Sequence, residues 1–475
     1  MPDDANTGDG PENDPGEELR RLLNDMLRSG GAIDPERLAG VAGLPDDPAA
    51  IRALMAQMQA ALNNPDAGLD WEVARRQARQ VAGAANRELT EDERARVDRN
   101  FRLAELWLGE ATTLGELTST PAAFTRLEWI GASMDLWQQL SEPVATSISD
   151  ALVRVLAEQT PPELADVVSQ GDAILRNVGG SMFAMQLGQV IGQLAGEVVS
   201  GGDIGVPVLA QGRAALVPQN VEGFGDGLDL AIDEVELYLA VRELAHARLF
   251  AHAKWLRLHL ISSVTEFARG ITIDVSRIEE LARDLDPQQP EAIRDALQSG
   301  AFIPPRTPQQ QAALDRLETM LALIEGWVDV VTQEATSRLP RAEAVAETVR
   351  RRRATGGPAE RAFGSLVGLE LRPRRLREAA AMWRAVQDAH GAEVRDSLWD
   401  HFDAVPTSDD IDHPDFLVQR LGMGEVAGDD LDAALASLLD DLDSFGDAPD
   451  GGSVDERGAD GDDDASSENP QGPPV

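Results

Sequence analysis

Arg242, Glu243 and His246 lie in the run Tyr238-Leu239-Ala240-Val241-Arg242-Glu243-Leu244-Ala245-His246, which has the spacing of the metal-binding motif H-E-x-x-H. In that motif two imidazoles one helical turn apart grip a divalent cation, and the glutamate between them serves as general base on a metal-bound water. Arginine stands here in the first histidine's place. It keeps its proton at any physiological pH and cannot ligate a cation, so the spacing survives while one ligand is lost. The apolar pattern predicts that a helix from about Ile232 to Ile271 carries all three residues on one side. The same E-x-x-H on an Ala/Leu-rich helix also describes an ordinary salt-bridged helix.

A second segment raises the chemical interest. In Leu323-Ile324-Glu325-Gly326-Trp327-Val328-Asp329-Val330-Val331, Glu325 and Asp329 share one face of an apolar helix. Two buried carboxylates are costly unless positive charge stands opposite. Two cations could meet that need. One is a metal held by His246, Glu325 and another group, with Glu243 as general base and Asp329 orienting a ligand behind them. The other is the guanidinium of Arg242, paired with Glu325 or Asp329 and joining two core helices. Arg242 and Glu243 are thus the candidate catalytic residues, and His246 and Glu325 the candidate zinc ligands. His252 and His259 fall six and thirteen residues beyond His246, off its face. His390, His401 and His413 are expected at the surface, although His413 lies among carboxylates that could hold a hard cation.

Composition narrows the classes. The chain has 475 residues, a net charge of −41, a single lysine (Lys254) and no cysteine. Disulfides, thiolate metal sites and cysteine nucleophiles are excluded, and the acidity argues against binding nucleic acid or an anionic membrane. The start, Met1-Pro2-Asp3-Asp4-Ala5, has neither the basic nor the apolar part of a signal peptide, so a cytoplasmic address is expected. Arginines cluster at Arg350–Arg353 and again at Arg361, Arg372, Arg374, Arg375 and Arg377. They read as solvated helix ends paired to the acidic body, with anion binding as the alternative.

The patterning is mainly α. Helices are expected at Glu17–Arg28, Pro48–Leu62, Trp71–Asn86, Glu91–Gly109, Ala122–Leu140, Pro143–Glu158, Pro161–Val178, Met182–Ser200, Ile232–Arg269, Val275–Leu285, Gln309–Thr336, Ala342–Arg353, Ala359–Leu366 and Arg374–Gly391. A small β-hairpin is expected beside the motif helix, Gly205–Leu209 turning through Gln211-Gly212 into Ala214–Pro218. Gly188, Gly192 and Gly196 form a small-residue stripe on Met182–Val199. Gln186, Gln189, Gln193 and Glu197 on the same segment favour close helix packing over a membrane span. The expected organisation is an acidic disordered tail over 1–16, one helical domain over 17–424 with its core at about 180–340, and a second acidic tail over 425–475. That last tail holds a leucine-striped helix, Asp429–Phe445, suited to docking on a partner or on the body.

Several blocks together carry a resemblance: Met185-Gln186-Leu187-Gly188-Gln189-Val190-Ile191-Gly192, Gly202-Asp203-Ile204-Gly205-Val206-Pro207, Val217-Pro218-Gln219-Asn220, Arg242-Glu243-Leu244-Ala245-His246, Ile324-Glu325-Gly326-Trp327-Val328-Asp329 and Arg353-Ala354-Thr355-Gly356-Gly357-Pro358. Over about residues 80–415 the chain resembles the zincin-like metallopeptidase family of actinobacteria and some archaea, in a branch with R-E-x-x-H. The resemblance implies a zincin-like helical domain and a zinc-dependent hydrolase of peptide bonds with a degenerate motif. The alternative is a catalytically inactive scaffold that binds a peptide or protein partner.

Overall fold

The computed structural model describes residues 70–423, apart from 160–164, 211, 227–229, 272–305 and 370. The two tails, Asp429–Phe445 and the helices expected at Glu17–Arg28, Pro48–Leu62 and Val275–Leu285 lie outside the described residues. Helices α1 (Trp71–Gly83) and α2 (Glu91–Ala111) lead through strand β1 (Ala122–Ala123) to α3 (Arg126–Gln159) and α4 (Ala165–Glu197). Strand β2 (Ala215–Leu216) precedes α5 (Pro218–Gly225), α6 (Ile232–His252) and α7 (Lys254–Arg269). The order closes with α8 (Pro308–Ala335), α9 (Ala342–Thr355), α10 (Pro358–Val367), α11 (Leu376–Ser397) and the short α12 (Ser408–Asp412). This body runs to Val418, and Gln419–Val475 form a separate unit.

Local chemistry fixes where the helices begin. At α2 and α8, Thr90 with Glu93 and Thr307 with Gln310 form reciprocal capping boxes, and Pro308 opens α8 where its missing N–H costs nothing. Packing then decides the rest. Every residue from Val235 to Phe250 of α6 is buried, as is every one from Met320 to Thr332 of α8. Helices apolar all round belong in a core. Here α6 packs on α2 and α8, while α8 also meets α7 and α11. The ionisable groups within these two buried stretches therefore have only each other and their immediate neighbours as solvent.

The structure is mainly α, with one two-stranded sheet among the described residues, but the expected hairpin is replaced by another pairing. β2 runs parallel to β1, with Ala122 opposite Ala215 and Ala123 opposite Leu216, and Ser200 bridges Leu216 antiparallel. Residues 205–209 instead turn on themselves, Gly205 N–H donating to Gly202 and Val208 N–H to Val206. Pro207 has no N–H for a ladder, and Gly205 has φ +77°, a conformation that curls the chain away from an extended strand. The motif helix also differs from expectation. It breaks at Ala253 (φ −82°, ψ 71°), where α7 sets off on a new axis and carries the Trp255 ring onto Trp399. Pro143, expected to open a separate helix, lies inside α3, where Trp137 and Leu140 before it and Val144 after it are buried in one continuous face.

The glycine stripe has an unequal role. A Cβ on Gly188 would stand 2.4 Å from the Ala74 carbonyl oxygen, and one on Gly192 would stand 2.7 Å from that of Ala78, so α1 lies directly on α4. Gly196 has no such neighbour. Among the described residues no helix is long and apolar enough to cross a membrane. Gly188→Ala is expected to lower stability by about 1–3 kcal/mol through overpacking. Gly196→Ala should leave thermal unfolding unchanged or raise its midpoint; equal effects of the two would contradict this packing.

Candidate functional site

The crossing of α6 and α8 brings Arg242, His246 and Glu325 into contact. Arg242 Nη2 donates to Glu325 Oε2 at 2.5 Å, and His246 Nε2 lies 3.2 Å from Glu325 Oε1. All three are buried, Glu325 completely. Burial works against the Glu325 charge, but Arg242, Arg353 and His246 outweigh it and hold its carboxyl well below the usual carboxylate range. Burial likewise opposes the charge on Arg242, and Glu325 more than restores it. Burial lowers the His246 pKa, with Arg242 and Arg353 adding to the effect against the pull of Glu325, so the ring is neutral near pH 7. Because ionised Glu325 only accepts, the neutral ring's hydrogen belongs on Nε2.

Glu243 faces another way. Its Oε2 accepts the Gly202 N–H at 2.7 Å and its Oε1 the Ala215 N–H at 3.0 Å, with a further bond from Ser200. A single carboxylate thus ties both ends of the strap from Ser200 to Ala215 onto the motif helix. The strap approaches closely enough that a Cβ on Gly201 would meet Glu243 Oε1 at 2.6 Å, and one on Gly202 would meet His246 at 2.9 Å. Its entry is held as well. Asn220 donates to the Ala195 and Val198 carbonyls at the end of α4, while Asp203 accepts from Val199 N–H and pairs with Arg352 at 2.9 Å. Gly202, Leu209, Arg213, Glu243 and His246 line a recess with space for about one water molecule. His246 Nδ1 has no protein partner.

Asp329 takes a different partner from the expected one. It binds Arg350 in a two-pronged pair, Nε to Oδ1 at 3.0 Å and Nη2 to Oδ2 at 3.2 Å. One helical turn beyond Glu325, it meets α9 rather than Arg242 or His246. Two arginines of the run expected to be solvated therefore point inward, since Arg353 also reaches Glu325 at 3.4 Å and is 2% exposed. The inward turn had a signal in the sequence: Val345, Val349 and Arg353 recur every fourth residue on one face of α9. Further along, Arg375 pairs with Asp412 and Arg377 with Glu347 at the surface, as expected of solvated arginines on an acidic body. His252 pairs with Asp400, His259 lies against Phe402 and His390 reaches the Val418 carbonyl.

A family model described as zincin-like metallopeptidase matches residues 69–418. The chain belongs to that family. Family membership supports a hydrolase-like function in general and names zinc as the group's metal. A solved structure from Chloroflexus aurantiacus, described as a candidate hydrolase with a novel fold, is similar at 20% identity with a TM-score of 0.52, covering 74% of this chain and 99% of that one. At that identity the likeness concerns the fold. Among curated proteins none matches.

Zinc can be tested against the donor set of this family member. A catalytic zinc takes three protein ligands and leaves one position open. Here His246 and Glu325 supply two, Arg242 stands in the third place, and the Nε2 hydrogen of His246 is already directed at Glu325. Among the described residues no three His, Asp or Glu side chains gather closely enough to hold an ion. The residues do not fit the metal.

Two measurements check this electrostatic picture. Glu325→Gln leaves buried guanidinium charge without its counter-ion and should cost about 3–5 kcal/mol in urea unfolding. A loss below about 1 kcal/mol would mean that Arg242 finds another anion. Burial raises the Glu243 pKa from its ordinary 4.5 to about 7, so the folded state holds this proton more tightly than the unfolded chain. Its contribution is fully present below pH 4.5 and is lost as pH rises through 7. Relative to Glu243→Gln, the natural chain should lose roughly 3 kcal/mol across that window. A constant difference between the two would place the titration elsewhere.

Proposed function

We propose that this chain keeps the zincin fold without zinc hydrolysis and works as a scaffold that binds a peptide or protein partner. The observation that carries the proposal is the Arg242–Glu325 pair: a guanidinium satisfies the buried carboxylate that a metal would otherwise need to satisfy. Glu243, the motif's general base, spends both oxygens on strap amides and so holds structure in place of activating water. The small recess suits a fixed wall better than a substrate cleft. A net charge of −41 favours a partner with a basic surface and disfavours nucleic acid and anionic membranes.

Hydrolysis of peptide bonds is the second reading. It is favoured by family membership and by one local feature, Glu243 and His246 sharing the recess with Glu243 titrating near neutrality. Metal content and cleavage together separate the two. Chain purified without chelator and then supplied with zinc is expected to retain no stoichiometric ion by mass spectrometry and to leave a mixed peptide library intact. One zinc per chain, lost in His246→Ala together with peptide cleavage, would sink the scaffold reading.

A further inference from the structure

Glu325 has two guanidiniums on it, and they come from different helices. Arg242 of α6 takes Oε2, while Arg353 Nη2 of α9 stands 3.4 Å from Oε1, the oxygen that also faces His246 Nε2. Arg353 is anchored independently of Arg242. Its Nη1 lies 3.4 Å from Glu360 on α10, and its Nη2 also reaches the Leu371 carbonyl. The strap closes over the same atoms: with φ +77°, Gly205 lies so near that a Cβ there would be 2.7 Å from both Arg353 Nη2 and Glu325 Oε1.

We propose that Arg353 is a second, independent determinant that excludes metal from this site, so that the altered motif residue alone does not account for the loss of zinc. The inference rests on the zinc-free reading above and goes beyond it. A divalent cation ligated by His246 Nε2 and Glu325 would share a buried space with the Arg353 charge, where like charges repel with little screening. Putting histidine at 242 frees Oε2 but leaves Oε1 committed to Arg353 and His246. The carboxylate would remain a weakened donor beside a fixed positive charge.

The test is zinc titration of the full chain by calorimetry, with circular dichroism confirming the fold of each variant. The natural chain and Arg353→Met are expected to bind no zinc at this site. Arg242→His should bind weakly, and Arg242→His with Arg353→Met at least about tenfold more tightly. Burial already raises the Glu360 pKa, so a neutral residue at 353 leaves a partner able to take up a proton. Arg353→Gln, which can still donate to the Leu371 carbonyl, replaces methionine if the first double variant fails to fold. Arg242→His with Arg353→Lys keeps the charge and should stay as weak as Arg242→His alone. Tight zinc in Arg242→His, within about twofold of the neutral double variants, would overturn the role of Arg353 while leaving the zinc-free reading of the natural chain intact. Zinc bound by the natural chain and lost in His246→Ala would overturn both.

Discussion

A carboxylate with no access to water has to find its positive charge inside the fold, and Glu325, in the middle of a helix buried on every side, imposes that demand on its surroundings. Arg242 answers it from α6 and Arg353 from α9, with His246 contributing a hydrogen. One turn further along α8, Asp329 makes the same demand and is met by Arg350. Three helices are thereby keyed to one another by charges that tolerate few other arrangements. Such pairs contribute less net stability than their Coulomb energy suggests, because each charge is first stripped of water. Losing one partner is costly for the same reason.

The zincin spacing on α6 sits within this charged network. In the motif's usual chemistry Glu243 would address a metal-bound water; here it accepts two backbone amides and anchors the strap between α4 and β2. That use explains why glycine occupies positions 201 and 202, where a side chain would strike Glu243 or His246. It also ties the short parallel sheet to the motif helix, since Ala215 is both a strand residue and a donor to Glu243. Motif, strap and sheet form one construction around a guanidinium–carboxylate pair.

Helix-level features were readable wherever a local rule governed them. The helices that became α2 and α8, the apolar run around Glu325 and close helix packing at Gly188 and Gly192 follow from spacing and side-chain size. The sheet was not readable, because Ala122, whose segment patterned as the start of a helix, and Ala215 lie far apart in the chain and only assembly brought them side by side. The break at Ala253 carries no proline or glycine to announce it; the stacking of Trp255 on Trp399, distant in sequence, accompanies the new direction. Arg353 was half visible, lying on the apolar stripe of its helix but disguised by three neighbouring arginines.

By itself the sequence determined a mainly helical chain without thiols, a face shared by Arg242 and His246, and a carboxylate at position 325 that had to meet a cation. Those results depend on helical period, residue inventory and the cost of burying charge, all of which are local. Only the tertiary structure decided which cation met which carboxylate. Arg242, Arg350 and Arg353 are chemically equivalent donors, and the choice among them is set by distances between α6, α8 and α9, where the Arg242–Glu325 contact alone spans 83 residues of chain. No periodicity encodes those distances; the packing of the helices does.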